Sequence, residues 1–153
     1  MNNREFWDQL RRPPEGALKE IKGGRLSGMT DIKPQWRLQV MTEVFGPCGI
    51  GWKYEIVSQR TYDGPEGQVM AVVDVNLSIL TKTPIGDGWS DPIPGTGGSM
   101  LVANERNGPH FNDEAFKMAL TDALSVAMKA LGVGSDIYMG AWTGTKYLTP
   151  DRS

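Results

Sequence analysis

One cysteine and one histidine in 153 residues set the first limits on this chain. Cys48 cannot form a disulfide within the chain, and His110 lacks a second histidine or a cysteine partner at any spacing that holds zinc. No apolar run approaches the roughly 18 residues that a membrane span needs. The opening residues Met1 to Trp7 carry no apolar signal segment, so a reducing cytoplasm is the expected location, with no membrane partner. An excess of either charge is also missing. Sixteen Lys and Arg stand against eighteen Asp and Glu, a net charge of −2, so no global field draws the chain to nucleic acid or to an anionic membrane. Any anion-binding surface must come from local clustering or from assembly.

What is abundant is punctuation. Nineteen glycines and ten prolines fall mainly between periodic segments, which marks sharp connections, and five tryptophans argue against a flexible tail. With no break in composition, residues 1–153 are expected to form one domain large enough to bury a core. Residues 3–12 place Phe6, Trp7 and Leu10 on one face of a short helix stopped by Pro13-Pro14, a helical arm within 1–14. A second short helix is expected at about 15–22, ending at Gly23-Gly24. A third runs from Pro34, well suited to the first helical position, to Phe45, with Gly46-Pro47 as the stop. No strand is expected before these three helices end.

From Ile50 the period changes to two. Trp52, Tyr54 and Ile56 alternate with Lys53 and Glu55, a turn follows at Asp63 to Gly67, and Gln68 to Lys82 alternates again, which predicts a long antiparallel hairpin. Asp87-Gly88 suggests another turn, and Trp89 to Val102 a third strand broken by Pro92, Pro94 and glycines. Asn112-Asp113-Glu114 then offers an N-cap and first-turn carboxylates for a long helix ending at Gly132 to Gly134. At about 100° per residue, Lys117, Thr121, Ser125 and Lys129 share one strip of that helix. Ala119, Ala123, Ala127 and Ala130 would let a sheet or a second helix approach closely. Tyr138 to Tyr147 closes the pattern as an aromatic, glycine-rich segment containing Lys146. The fold class expected is α+β: short N-terminal helices, then a three-stranded antiparallel meander covered by one long helix.

Few residues propose catalysis. His110 lies near Asp113 and Glu114, which admits an acid/base pair, but their spacing matches no ligand motif. Cys48 has no identifiable base beside it. Pro94-Gly95-Thr96-Gly97-Gly98-Ser99 looks superficially like a phosphate loop but lacks the Lys-Ser/Thr pair that such a loop uses, and a turn or a loop leading into a strand suits it better. The basic residues are more informative. Lys22, Arg25, Lys33 and Arg37 come close together before the sheet, and Lys53 and Arg60 project from the first long strand with Trp52 and Tyr54 on its other face. Cations at intervals beside aromatics suit a single strand of nucleic acid, which needs phosphate contacts and stacking surfaces. A solvated charged face over an aromatic core suits the same residues.

Three ordered pieces resemble the Rad-fifty-two family of single-strand annealing recombination proteins, including its bacteriophage members. The first comprises Lys22-Gly23-Gly24, Trp36-Arg37-Leu38, Glu43-Val44-Phe45-Gly46 and Gly51-Trp52-Lys53-Tyr54-Glu55-Ile56. The second is the hairpin 52–82. The third is Lys117-Met-Ala-Leu-Thr-Asp-Ala-Leu followed by Lys129-Ala-Leu-Gly132, similar to the family's Lys-x-x-x-Thr-Asp-x-Leu helix. Together they cover residues 15–147. The resemblance implies a β-β-β-α core whose copies assemble side by side into rings or filaments, with single-stranded DNA held by its backbone in a basic groove and its bases exposed. Lys22 matches the basic residue of the family's glycine loop, Lys129 the last basic position of the long helix, and Arg106 a basic residue before that helix. Two further cations of the family helix fall here on Ser125 and Val126, so Arg25, Lys53 or a neighbouring copy would have to supply charge.

The expected function is therefore binding and annealing of single-stranded DNA in recombination and double-strand break repair. The expected DNA-binding residues are Lys22, Arg25, Lys53, Arg106 and Lys129, with no catalytic residue, no ATP or other cofactor, and no metal. A homo-oligomer is expected independently, because a strand edge as long as 68–82 invites pairing with another chain. An exonuclease or a single-stranded DNA-binding protein is a further expected partner, in a host cell's cytoplasm if the chain is phage-encoded. The alternatives are a module that coats and protects single strands without annealing them, and a small enzyme built on His110.

Overall fold

The computed structural model describes residues 2–23 and 26–140. The fold is α+β, with antiparallel sheets and four α-helices among the described residues. No helix there is long and apolar enough to cross a membrane. The chain divides into two compact units, Met1–Pro47 with Lys129–Ser153, and Cys48–Met128.

The first unit opens with α1 (Asn3–Asp8), started by a reciprocal cap in which Asn2 Oδ1 accepts from the Glu5 N–H at 2.8 Å and the Glu5 carboxylate accepts from the Asn2 N–H at 3.2 Å. It ends four residues short of the expected Arg12. Arg11 instead reaches Asp136, with Nη1 at 2.9 Å from Oδ1. The helix expected at 15–22 is replaced by a single turn at Glu15–Ala17 and a strand, β1 (Leu18–Glu20), paired antiparallel with β2 (Thr30–Ile32). An eight-residue helix carrying Gly16 is too short to hold itself together, and Leu18 gains more by lying opposite Ile32. Two strands therefore precede α2 (Pro34–Phe45), which has the expected bounds and the expected proline in its first turn. Ile32 and Ile137 of α4 (Ser135–Tyr138) centre this unit's core, flanked by Leu18, Trp36 and Tyr138. At Gly132, φ is +105° and an added Cβ would lie 2.7 Å from the Trp7 ring, so both backbone and packing require glycine.

The second unit is the sheet. Its strands are β3 (Trp52–Asp63), β4 (Val69–Thr83), β5 (Gly86–Trp89), β6 (Ile93–Glu105) and β7 (Gly108–Phe111), in the order β3-β4-β6-β7 with β5 paired to β4. The long hairpin is present in register, from Trp52 opposite Ile79 to Asp63 opposite Val69, with a bulge between Ile56 and Ser58. Three expectations need correction here. Asp87-Gly88 lies within β5, and the turn falls at Pro84-Ile85 because β5 folds back on β4 with Trp89 opposite Leu80. Pro94 to Ser99 is neither turn nor loop but the interior of an unbroken β6. Pro94 is tolerated because β7 covers only Val102 to Glu105, leaving the proline on an edge with no partner strand among the described residues. Residues 68–82 do not form an edge either: β4 is flanked by β3, β5 and β6, and the long edge strand is β3.

Alternation along β4 gives the sheet two unlike faces. Ala71, Val73, Val75 and Leu77 are buried, each of the larger three stabilising by about 1.5–3 kcal/mol on leaving water. Opposite them on β6, Gly95 and Gly97 meet the backbone of Ala119, Ala123 and Ala127 so closely that no Cβ could be added. Those alanines belong to the long helix α3 (Ala115–Leu131), whose residues to Met128 are counted with this unit. The alanine stripe thus accommodates a strand of glycines. Asp122, from the Thr-Asp pair of the sequence motif, accepts the Gly98 N–H at 3.1 Å and ties helix to strand.

Candidate nucleic-acid interface

Of the five basic residues expected to bind DNA, Arg25 lies outside the described residues, as do Lys146 and Tyr147 of the aromatic segment. Lys22 is exposed in the loop after β1, and Arg106 is exposed in the turn between β6 and β7. Lys129 is exposed in the last turn of α3, where a cation suits the helix C-terminus. Lys53 is exposed on β3. Among the described residues, none of these four pairs with a carboxylate, whereas Arg4, Arg11, Arg12, Arg60 and Lys117 all do. A free ammonium or guanidinium remains available to a phosphate.

Two other cations of the sequence pattern are committed elsewhere. Arg37 is buried, and its Nη2 donates to the Tyr138 hydroxyl at 2.9 Å. Arg60 pairs with Asp74 and also donates to Ser58 Oγ at 2.8 Å. Asp74 accepts from Ser58 at 2.7 Å and from Thr96 besides Arg60; these hydrogen bonds, Ser58 first, hold its carboxyl at about 2. The Asp74 hydrogen bond is the main reason that the Arg60 guanidinium is held above its ordinary value. The ion pair neutralises Arg60 and fixes it on the sheet.

Each unit places one free lysine against an aromatic ring. In the first, Lys129 Nζ lies 4.4 Å from the centre of the Tyr138 ring, whose hydroxyl is held by Arg37. In the second, Lys53 Nζ lies 4.3 Å from the centre of the Trp89 ring, itself 39 % exposed. Trp52, which the sequence offered as a possible stacking surface, is instead buried at 1 % exposure, and Tyr54 stacks on it at 6.2 Å between centroids. Directly opposed residues of an antiparallel pair share a face. The pairs Lys53–Ser78, Glu55–Asn76 and Trp89–Leu80 therefore all lie on the face turned away from Val73 and Val75. A recess of about 220 Å³ opens there, lined by Lys53, Tyr54, Glu55, Asn76, Ser78 and Pro92. From this group the sequence offers Lys53 as a DNA-binding residue and Tyr54 as an aromatic beside it, and gives no role to the rest. Glu55, Asn76 and Ser78 come together through the register of the β3–β4 hairpin, which alternation alone does not fix, and Pro92 and the nearby Trp89 join them only through the β4–β5 turn, which Asp87-Gly88 misplaced.

The remaining chemical candidates, His110 and Cys48, gain no catalytic partner among the described residues. His110 is exposed on β7, opposite Ala103. Cys48 is exposed, and partial burial of its thiol pushes the pKa up, away from the reactive thiolate. No group of three His, Cys, Asp or Glu side chains among the described residues is placed to hold a metal ion. No model of a known protein family matches this chain, and no curated protein matches it.

Proposed function

We propose that this protein binds single-stranded DNA and anneals complementary strands in recombination and double-strand break repair, as an ATP-independent homo-oligomer. The observation that carries this reading is the set of four exposed cations, Lys22, Lys53, Arg106 and Lys129, at positions named by the sequence pattern and free of carboxylate partners. Lys19 and Lys82 are free as well, so freedom alone does not select the site; coincidence with the sequence pattern does. The long hairpin followed by β6 and α3 supports a β-β-β-α module of the kind that the resemblance implies. The long edge strand β3 supports assembly through strand pairing, since its outer edge has no partner strand among the described residues. In this function DNA capture is electrostatic, and pairing of the bases drives annealing without bond making.

The test is a titration of single-stranded oligonucleotide at several salt concentrations, with solution mass followed by light scattering. The intact protein should form a large oligomer and bind in a salt-sensitive way. Each phosphate contact removed by Lys22→Ala, Lys53→Ala or Lys129→Ala should flatten the slope of log K against log salt by about 0.7. Complementary strands mixed after loading should pair faster than free strands. Slower pairing would identify a coating protein instead, and a monomer indifferent to DNA would end the proposal.

A further inference from the structure

The recess that Lys53 shares with Glu55, Asn76 and Ser78, next to the Trp89 ring that Lys53 touches, has the parts of a site for a single nucleobase, and the sequence pattern assigned only Lys53 of it. Four of its polar side chains, Lys53, Glu55, Asn76 and Ser78, make no hydrogen bond or ion pair with one another or with any other described residue. Asn76 and Ser78 are half-buried on the central strand of a sheet, where hydrogen-bonding groups ordinarily find partners. By contrast, their neighbour on the same face, Asp74, is fully engaged with Ser58 and Arg60. The unused capacity thus lies at one end of the face, where Lys53 lines the recess and its ammonium stands against the ring of Trp89, which lies on the same face adjoining the recess and outside its lining. At about 220 Å³ the recess lies below the roughly 300–1,000 Å³ of pockets for drug-sized ligands, which suits a single ring system.

We infer that this recess takes one base of a bound single strand, an amino-bearing base with cytosine the best match, which stacks on the adjoining Trp89 ring in the place that the Lys53 ammonium holds in the free protein while Lys53 turns to an adjoining phosphate. The chemistry selects the base. The Glu55 carboxylate only accepts hydrogen bonds and therefore favours an exocyclic amino group, as cytosine N4 offers. The Asn76 amide supplies donors for the ring nitrogen or carbonyl beside that amino group, and the Ser78 hydroxyl adds a donor or an acceptor. Thymine would turn a carbonyl toward Glu55 in place of the amino group. A charged wall, a stacking surface and an unsatisfied polar floor are complementary to a nucleotide. They do not suit an apolar helix or strand of another protein, which would leave Glu55 and Asn76 buried without partners. The inference rests on the single-stranded DNA reading and adds to it a base preference and a fixed attachment point in each protomer.

The experiment titrates the full chain with oligo-dC and oligo-dT of equal length, following anisotropy of a labelled strand and tryptophan emission together. The intact protein should bind oligo-dC about five to ten times more tightly than oligo-dT, the order of discrimination expected from one well-made base contact. Trp89→Ala should weaken oligo-dC binding by about tenfold with little change in salt slope, because stacking carries no charge. Trp89→Phe retains a ring, so it should bind nearly as well while losing the emission change, which controls for a hairpin that fails to form. Asn76→Ala and Glu55→Gln should reduce oligo-dC affinity toward that of oligo-dT. Equal affinity of the intact protein for the two oligomers, or oligo-dC binding indifferent to Trp89→Ala, would overturn the base site and leave the annealing function standing. Failure of the intact protein to bind either oligomer would overturn both.

Discussion

The two faces of β4 are made by alternate residues of one strand, yet they obey different constraints. Ala71, Val73, Val75 and Leu77 are buried on a face where β6 contributes only the backbone of Gly95 and Gly97, so close to the α3 alanines that no further atom fits. Asp74, Asn76 and Ser78 are half-buried on the other face, in a polar setting where capacity for hydrogen bonds goes unused at one end. The first face is limited by volume and the second by chemistry. Stability should therefore respond to size changes on one face, and ligand binding to changes of polar group on the other.

The largest effect expected from this contrast is on Gly97. A valine there would place its Cβ against the backbone of Ala119 and Ala123, which cannot rotate away as a side chain could. Overpacking usually costs about 1–3 kcal/mol and more where backbone must move. Gly97→Val should exceed that range and give a chain without a cooperative denaturant transition. The corresponding substitution of a polar-face residue, Ser78→Val, should fold. A cooperative Gly97→Val protein of near-native stability would show that helix and strand part easily and would erase the distinction between the faces.

Next in size is a matched pair from adjacent positions. Leu77→Ala deletes atoms from a fully buried side chain and should cost about 2–5 kcal/mol by chemical denaturation. Asn76→Ala removes a side chain that has no hydrogen-bond partner among the described residues and should change stability by no more than about 0.5 kcal/mol. Its expected effect is on oligo-dC binding. Should Asn76→Ala destabilise as much as Leu77→Ala, the polar face would be a structural surface and the recess a consequence of packing.

This contrast also explains which parts of the fold are legible in the sequence. Period-two alternation from Val69 to Ile79 announced a strand with two unlike faces, and the alanine spacing of 119, 123 and 127 announced a close approach, because both patterns are local and repeat. The partner of the alanine stripe was not legible. The glycines at 95 and 97 look like turn residues in isolation, and only pairing with Val75 and Val73 makes them a smooth strand surface. The same holds for the candidate site. Lys22, Lys53, Arg106 and Lys129 were named from sequence, but the Lys53–Trp89 contact requires the chain to reverse at Pro84-Ile85. In the N-terminal unit, Leu18–Glu20 is a strand where the sequence suggests helix, because three residues are too few for a period to declare itself. Their pairing with Thr30–Ile32 is set by a partner ten or more residues away.

The smallest effect sharpens the boundary within the polar face itself, between the engaged end at Asp74 and the open end at Asn76. Asp74 titrates near 2 in the folded protein because Ser58, Thr96 and Arg60 favour its charged form. An unfolded aspartate titrates near its ordinary value of about 3.9. Because the folded value is the lower one, these interactions contribute fully to stability above the unfolded value and are lost as pH falls from about 4 toward 2. Arg60 stays charged throughout this window, so the loss follows from Asp74. Asp74→Asn should melt below the intact protein at neutral pH, and the gap should close through that acid window. Oligo-dC binding at neutral pH should be nearly unchanged, since Asp74 does not line the recess. A gap that stays constant with pH would mean that Asp74 acts through packing rather than charge. A large loss of oligo-dC binding would mean that the two ends of the face form one connected site.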